Sequence, residues 1–200
     1  MEKRAYLLLL CSLLIGGCLK EPPSPPAPPW PPPSPPLSRH IPEDESGLPW
    51  GQEESFLIVV EKSCHKLNLY SYGRLVKSYP AVFGRKQGGK LYEGDMRTPT
   101  GLYIIIGKGY HSRWARFMLL DYPTEHNVRI YWRNITLGRV PRIGGRYPGV
   151  GGAIGIHGTD KEKFNRLGIN WTLGCISLFN QDVKELYKQV PDGTLVYIQD

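Results

Sequence analysis

Eleven of the chain's 19 prolines fall within one stretch of seventeen residues, Glu21 to Leu37, which reads EPPSPPAPPWPPPSPPL. Proline holds φ near −65° and has no N–H to donate, so neither a helix nor a sheet ladder runs through such a stretch. Only extended polyproline II is open to it. At about 3.1 Å per residue it reaches roughly 50 Å. The chain is thereby divided into what precedes the run and what folds after it. Residues 38–54 are polar and lack periodicity, which marks them as continued linker. A folded domain is expected from about Ser55, and residues 55–200 have the length of one ordinary domain.

The segment ahead of the prolines reads as an address. Lys3 and Arg4 are followed by eleven uncharged residues, Ala5 to Ile15, and then by Gly16, Gly17 and Cys18. A basic start, a short apolar run and small residues at a cleavage point describe a secretory signal peptide. The run is too short for a comfortable membrane span, which needs about 20 apolar residues. Ile15-Gly16-Gly17-Cys18 resembles a bacterial lipobox, in which the Cys is acylated and becomes the new N-terminus. That resemblance implies a signal peptide over residues 1–17 and a lipidated Cys18 that holds the protein to a membrane outside the cytoplasm. Leu19, where an acidic residue would direct retention, favours the outer membrane. The other reading is an ordinary signal peptide with an incidental Cys. After a lipobox the proline run (within 18–54) is better read as a tether than as a ligand for an SH3-like domain.

Beyond residue 55 the pattern is one of short strands. Phe56–Val60 is an apolar run rich in β-branched residues, and Leu67–Tyr70 alternates. Tyr72-Gly73-Arg74 offers a turn into a return strand at Leu75–Tyr79, with further strands at Leu102–Ile106, Phe117–Leu120 and Thr194–Ile198. One helix is well signalled. Asn180 is placed to cap it, Val183, Leu186, Tyr187 and Val190 fall on one face, and Pro191-Asp192-Gly193 stops it. Several short strands with Gly/Pro turns and few helices imply a mainly β domain, sandwich or barrel-like.

The net charge of +7 suits an anionic neighbourhood without choosing among nucleic acid, lipid and carboxylate-rich wall polymer. The cysteines at 11, 18, 64 and 175 show no paired spacing, so neither a zinc site nor a disulfide framework is indicated. No metal or cofactor motif is present in the sequence. Cys64 and His65 are neighbours in the first hairpin turn, and adjacent residues point apart, so Cys64 reads as structural or incidental.

Chemistry concentrates in GVGGAIGIHGTDKEKFNRLGINWTLGCISL, residues 149–178. His157-Gly158 precedes Gly174-Cys175 by eighteen residues, and Cys175 lies shortly before the signalled helix. A helix N-terminus and a nearby imidazole would both favour the thiolate, which an unperturbed thiol titrating near 8.5 needs in order to attack at neutral pH. Gly174 leaves its surroundings open, so the N–H groups of 174 and 175 are candidate oxyanion donors. Gly158 leaves the backbone open beside His157, whose second nitrogen needs an acceptor to fix its tautomer. The spacing alone does not separate a catalytic pair from a buried structural thiol near a chance histidine.

The elements IHGT and TLGCISL, with a helix-forming segment after the Cys, resemble the signature of the L,D-transpeptidase catalytic domain, the YkuD-like family. FLIVVEKSCHKLNLYSYGRLVKSYPAVFG resembles its opening hairpin, and GDMRTPTGLYII its threonine-proline-x-glycine strand entry. GDMRTPTGLY with LDYP at 120–123 is similar to the branch that includes YafK-type proteins. The resemblance covers nearly all of residues 55–200 and implies a β-sandwich with a few short helices, including one after the Cys. It implies Cys175 as nucleophile, His157 as general base and acid, and the Gly158 carbonyl as orienter of the imidazole. Gly174 then belongs to the oxyanion loop, and Thr172 matches the residue that opens the Cys motif and is a substrate-binding candidate. Many members have Arg two residues after the Cys, where this chain has Ser177.

The implied partners are peptidoglycan stem peptides. The implied reaction is a Cys thioester with the stem peptide, transferred to an amine to give a 3→3 crosslink or an attached protein. Resolution by water would make the protein an L,D-carboxypeptidase or endopeptidase, and a non-catalytic wall-binding lipoprotein is a third reading. A nucleic-acid role is disfavoured by export. A papain-like protease is disfavoured because there the Cys precedes the His. Arg129, Arg133, Arg139, Arg142 and Arg146 lie before the His segment and could grip stem-peptide carboxylates, but a solvated basic face is the simpler reading for most.

Overall fold

The computed structural model describes residues 56–200; Cys18, the signal-like segment and the proline-rich linker lie outside the described residues. Eight strands carry the domain: β1 (Phe56–Glu61), β2 (Lys66–Ser71), β3 (Arg74–Pro80), β4 (Gly101–His111), β5 (Ala115–Leu120), β6 (Gly155–His157), β7 (Ile176–Ser177) and β8 (Leu195–Gln199). Three short helices accompany them, α1 (Glu125–Thr136), α2 (Glu162–Arg166) and α3 (Asn180–Gln189). The domain is mainly β, as expected.

The strands form one sheet in the order β3-β2-β1-β8-β4-β5-β6-β7. Its two halves are continuous through β4, whose eleven residues pair with β8 at one end and β5 at the other. The register shifts between Ile105 and Gly107, a bulge of the kind that bends a strand and strengthens its twist. The curl brings the inner faces together over one core. Ile58 and Leu69 from one half share it with Met118, Ile156 and Ile176 from the other, and α3 adds Val183 and Leu186.

The chain leaving β3 runs straight to the opposite edge of the sheet. Val82 and Ser177 exchange N–H to carbonyl hydrogen bonds of 3.0 and 2.8 Å. Thr172 N–H donates to the Phe83 carbonyl (3.0 Å), and Arg85 N–H donates to that of Thr172 (3.2 Å). One strap thus satisfies backbone groups that an open edge at β7 would leave unpaired.

Two expectations need correction, and one helix is unforeseen. Asn180 is the first residue of α3, not its cap. Phe179 holds the cap position in an extended conformation, and the Asn180 amide is spent on the Thr159 backbone, accepting from its N–H (2.8 Å) and donating to its carbonyl (2.9 Å). The strand expected over 102–106 continues to His111. Helix α1 has no counterpart in the sequence reading because its buried side includes Asn127 and Asn134 beside Tyr131 and Ile135. Asn127 Oδ1 accepts from both the N–H and the hydroxyl of Thr124 at 2.9 Å and so starts the helix.

Candidate active site

His157 closes β6, a three-residue strand held between β5 and β7. Its cross-strand partners are Phe117 and Ser177. Cys175 lies one residue before β7 and two before Ser177. Side chains alternate along a strand, so Cys175 shares a face with Ser177 and therefore with His157. The fold brings the two expected catalytic residues to one side of one parallel strand pair.

The imidazole is 2% exposed. Trp114, from the β4–β5 turn, stacks on it with centroids 4.2 Å apart and planes at 20°, Phe117 lies parallel at 6.1 Å, and Trp171 is edge-on at 6.0 Å. Nδ1 is 2.5 Å from the Gly158 carbonyl. A carbonyl only accepts, so Nδ1 carries the proton and Nε2 presents its lone pair. Burial pushes the imidazole's pKa down to about 4, against the raising influence of the Gly158 carbonyl. At rest the imidazole is neutral.

Gly158 is glycine for steric reasons. A Cβ there would collide with Asn180 Oδ1 and the Trp114 carbonyl. The same Trp114 carbonyl accepts the Gly158 N–H at 3.0 Å, which holds the peptide on which His157 leans.

Cys175 is partly exposed. Its thiol donates to the carbonyl of Ala153 (3.6 Å), a residue held at φ +53°. Burial pushes the thiol's pKa up, while backbone hydrogen bonding from Gly155 and the charge of Lys90 oppose the rise. The expectation of a thiolate promoted by a helix N-terminus is therefore not met. Helix α3 begins five residues later, beyond β7, and the dipole acts only over the first turn. Lys90 is itself buried in an ion pair with Asp95 at 2.7 Å.

The turn before Cys175 is tied by Thr172. Its hydroxyl donates to the Cys175 carbonyl (2.7 Å) and accepts the Gly174 N–H (3.1 Å). Of the two expected oxyanion donors, Gly174 N–H is already engaged, which leaves that of Cys175. Thr172 is buried, so it shapes the turn and offers no surface to a substrate. Gly174 adopts φ +148°, and a Cβ there would lie 2.9 Å from the Arg97 carbonyl and 3.0 Å from Ile154 Cδ1.

Ser177 is fully buried, with its hydroxyl on the Gly158 carbonyl at 3.2 Å. The five candidate arginines, on α1 and the loop after it, are all exposed; Arg129 pairs with Glu125 in its own helix and Arg142 lies over Tyr147. Cys64 is exposed in the β1–β2 turn, where His65 turns its ring to the Ala81 carbonyl. Among the described residues no cluster of three His, Cys, Asp or Glu side chains is placed to hold a metal. The aromatic packing of Trp114 and Trp171 around His157 was not anticipated, and no spacing rule would have revealed it.

The YkuD family model, an L,D-transpeptidase catalytic domain, matches residues 55–198. A curated protein of Bacillus licheniformis that carries an L,D-transpeptidase name, YkuD, is 27% identical over 143 residues, 72% of this chain and 65% of its own length. Two solved structures share the fold. Bdellovibrio bacteriovorus Bd1075 has a TM-score of 0.52 at 21% identity, covering 74% of this chain and 49% of its own. The K307A mutant of the helical cell shape determining protein Pgp2 from Campylobacter jejuni has 0.55 at 22%, covering 76% and 49%. This chain thus spans about half the length of those two structures.

Proposed function

Because the chain belongs to the L,D-transpeptidase (YkuD) catalytic-domain family, we propose that it is a peptidoglycan acyltransferase whose chemistry is carried by Cys175 and His157. The observation that supports this most directly is the fixed tautomer of His157. With Nδ1–H held by the Gly158 carbonyl, Nε2 is the free base on the face that Cys175 shares.

Both groups rest uncharged, so the proton moves as the bond forms. Cys175 Sγ adds to the carbonyl carbon of the third stem residue while its proton passes to Nε2 of His157. The Cys175 N–H stabilises the oxyanion. The C–N bond to the fourth residue then breaks, and His157 returns the proton to the leaving amine, giving a thioester. An amine of a second stem attacks the thioester, loses its proton to His157, and the thiol is restored. Lipid on Cys18 anchors the protein outside the cytoplasm, at the outer membrane, and the proline run tethers the domain within reach of the wall.

Incubation of the protein with disaccharide-tetrapeptide is the test. A crosslinked dimer with release of the fourth residue is expected. Tripeptide alone would assign hydrolysis instead, and full activity of Cys175→Ala would remove the mechanism. Cys18→Ala should release the protein from the membrane fraction; retention there would overturn the anchor.

A further inference from the structure

Gly158 offers one carbonyl oxygen, and two donors converge on it: His157 Nδ1 at 2.5 Å and the Ser177 hydroxyl at 3.2 Å. A carbonyl has two acceptor sites, so the hydroxyl occupies the one that the imidazole leaves. Its own orientation is dictated from further away. Trp171 Nε1–H, a group that only donates, reaches Asn165 Oδ1 at 2.9 Å. That settles which end of the Asn165 amide is oxygen and turns Nδ2 toward Ser177, where it donates to both the carbonyl and Oγ at 3.2 Å. Ser177 Oγ, accepting from Asn165, must send its proton onward, and the Gly158 carbonyl is the acceptor it meets.

Every step therefore runs in one direction, from Trp171 through Asn165 and Ser177 to Gly158. Ser177 is 0% exposed and Asn165 6%, so no solvent competes for these groups. The path begins at the Trp171 ring, edge-on to His157, and ends on the carbonyl that holds the same imidazole.

We infer that Ser177 is a positioning residue for the general base, held in its role by Asn165 and Trp171. The inference rests on the acyl-transfer reading for its consequence to the rate, but not for its effect on His157. By filling the second acceptor site, the Ser177 hydroxyl stops the Gly158 peptide from tilting away from Nδ1. Asn165 comes from α2 and Trp171 from the loop after it, so the excursion between His157 and Cys175 serves to brace the imidazole.

The test uses the full chain with Ser177→Ala, Trp171→Phe and the double variant. Hydrogen exchange of the His157 Nδ1 proton is followed by nitrogen-15 NMR, and acylation of Cys175 by a carbapenem in single-turnover mode. In Ser177→Ala, exchange should quicken and the limiting acylation rate fall, each by roughly tenfold, the size of one lost buried hydrogen bond. The half-saturating concentration should hold within about twofold. Trp171→Phe should shift both in the same direction, and the double variant should be no worse than Ser177→Ala, because the two act in series. Exchange and rate unchanged in folded Ser177→Ala would overturn the inference. Should that variant not fold, unchanged exchange in Trp171→Phe, at the partly exposed end of the path, would overturn it equally. A wild-type protein that no carbapenem acylates would count against the acyl-transfer reading, while the exchange measurement would still decide the role of Ser177.

Discussion

The Cys175 thiol donates to the Ala153 carbonyl and not to His157, although the two side chains share a face. With burial also holding the thiol's pKa above its ordinary range, Cys175 rests as a protonated thiol. Alkylation at Cys175 by iodoacetamide, read by peptide mass spectrometry, should be slow at neutral pH. It should climb without a plateau until the pH exceeds the usual thiol range. A neutral-pH plateau would show a resting thiolate and contradict this description. Exposed Cys64 in the same molecule serves as the internal comparison.

His157 ties stability to pH. In the unfolded chain an imidazole takes its proton near 6.5, whereas folded His157 does so only near 4. Between those values the unfolded state binds more protons, so stability falls as pH drops from about 6.5 to 4, and this group has no effect above that window. The full drop is worth about 3 kcal/mol. Urea titrations at a series of pH values should show His157→Gln losing most of this slope. The acid limb of the acylation rate should likewise lie well below 6.5, and the same substitution should lower that rate by about 10²–10⁴.

Gly174 combines a backbone conformation closed to other residues with two neighbours at 2.9 and 3.0 Å from a Cβ. Gly174→Ala should cost on the order of 3 kcal/mol, with activity lost beyond what residual folding explains, because the Cys175 N–H is re-aimed. Thermal melting beside activity at a temperature where both proteins are folded separates the two effects.

Thr172 is the clasp of the same turn. Thr172→Val keeps the shape but removes the donor to the Cys175 carbonyl and the acceptor of the Gly174 N–H. A loss of about 1–3 kcal/mol is expected, since a buried N–H and carbonyl lose their partner. Thr172→Ser, which retains the hydroxyl, should recover most of it. If Val and Ser behave alike in chemical denaturation, the hydrogen bonds are not what holds the turn.

The strands were legible because their residues advertise them: Phe56–Val60 and Thr194–Ile198 are apolar runs between turn residues. Strand β4 outran its reading because Gly107 and Gly109 look like punctuation, yet they continue the strand just past its bulge. Helix α1 stayed hidden behind buried asparagines; Asn127 is held by Thr124 at the helix start and by the distant Tyr103 hydroxyl. In the site, glycine context and family likeness single out His157 and Cys175 as candidates. Their electrical state could not be read there. It depends on how deeply Trp114, Phe117 and Trp171 enclose the imidazole and on where β7 stands between the thiol and α3. Those are properties of tertiary packing, whereas the engagement of the Gly174 N–H is local, made by the Thr172 hydroxyl two residues before it.

The strap from β3 to β7 bears on the order of assembly. The mutual hydrogen bonds of Val82 and Ser177 join the first third of the domain to the strand beside Cys175. Contacts so distant in sequence close late, since loop entropy must be overcome before they form. The sheet edge beside Cys175 is therefore completed only once the two ends of this contact have met. Completion of the candidate site is in this sense a late act of folding.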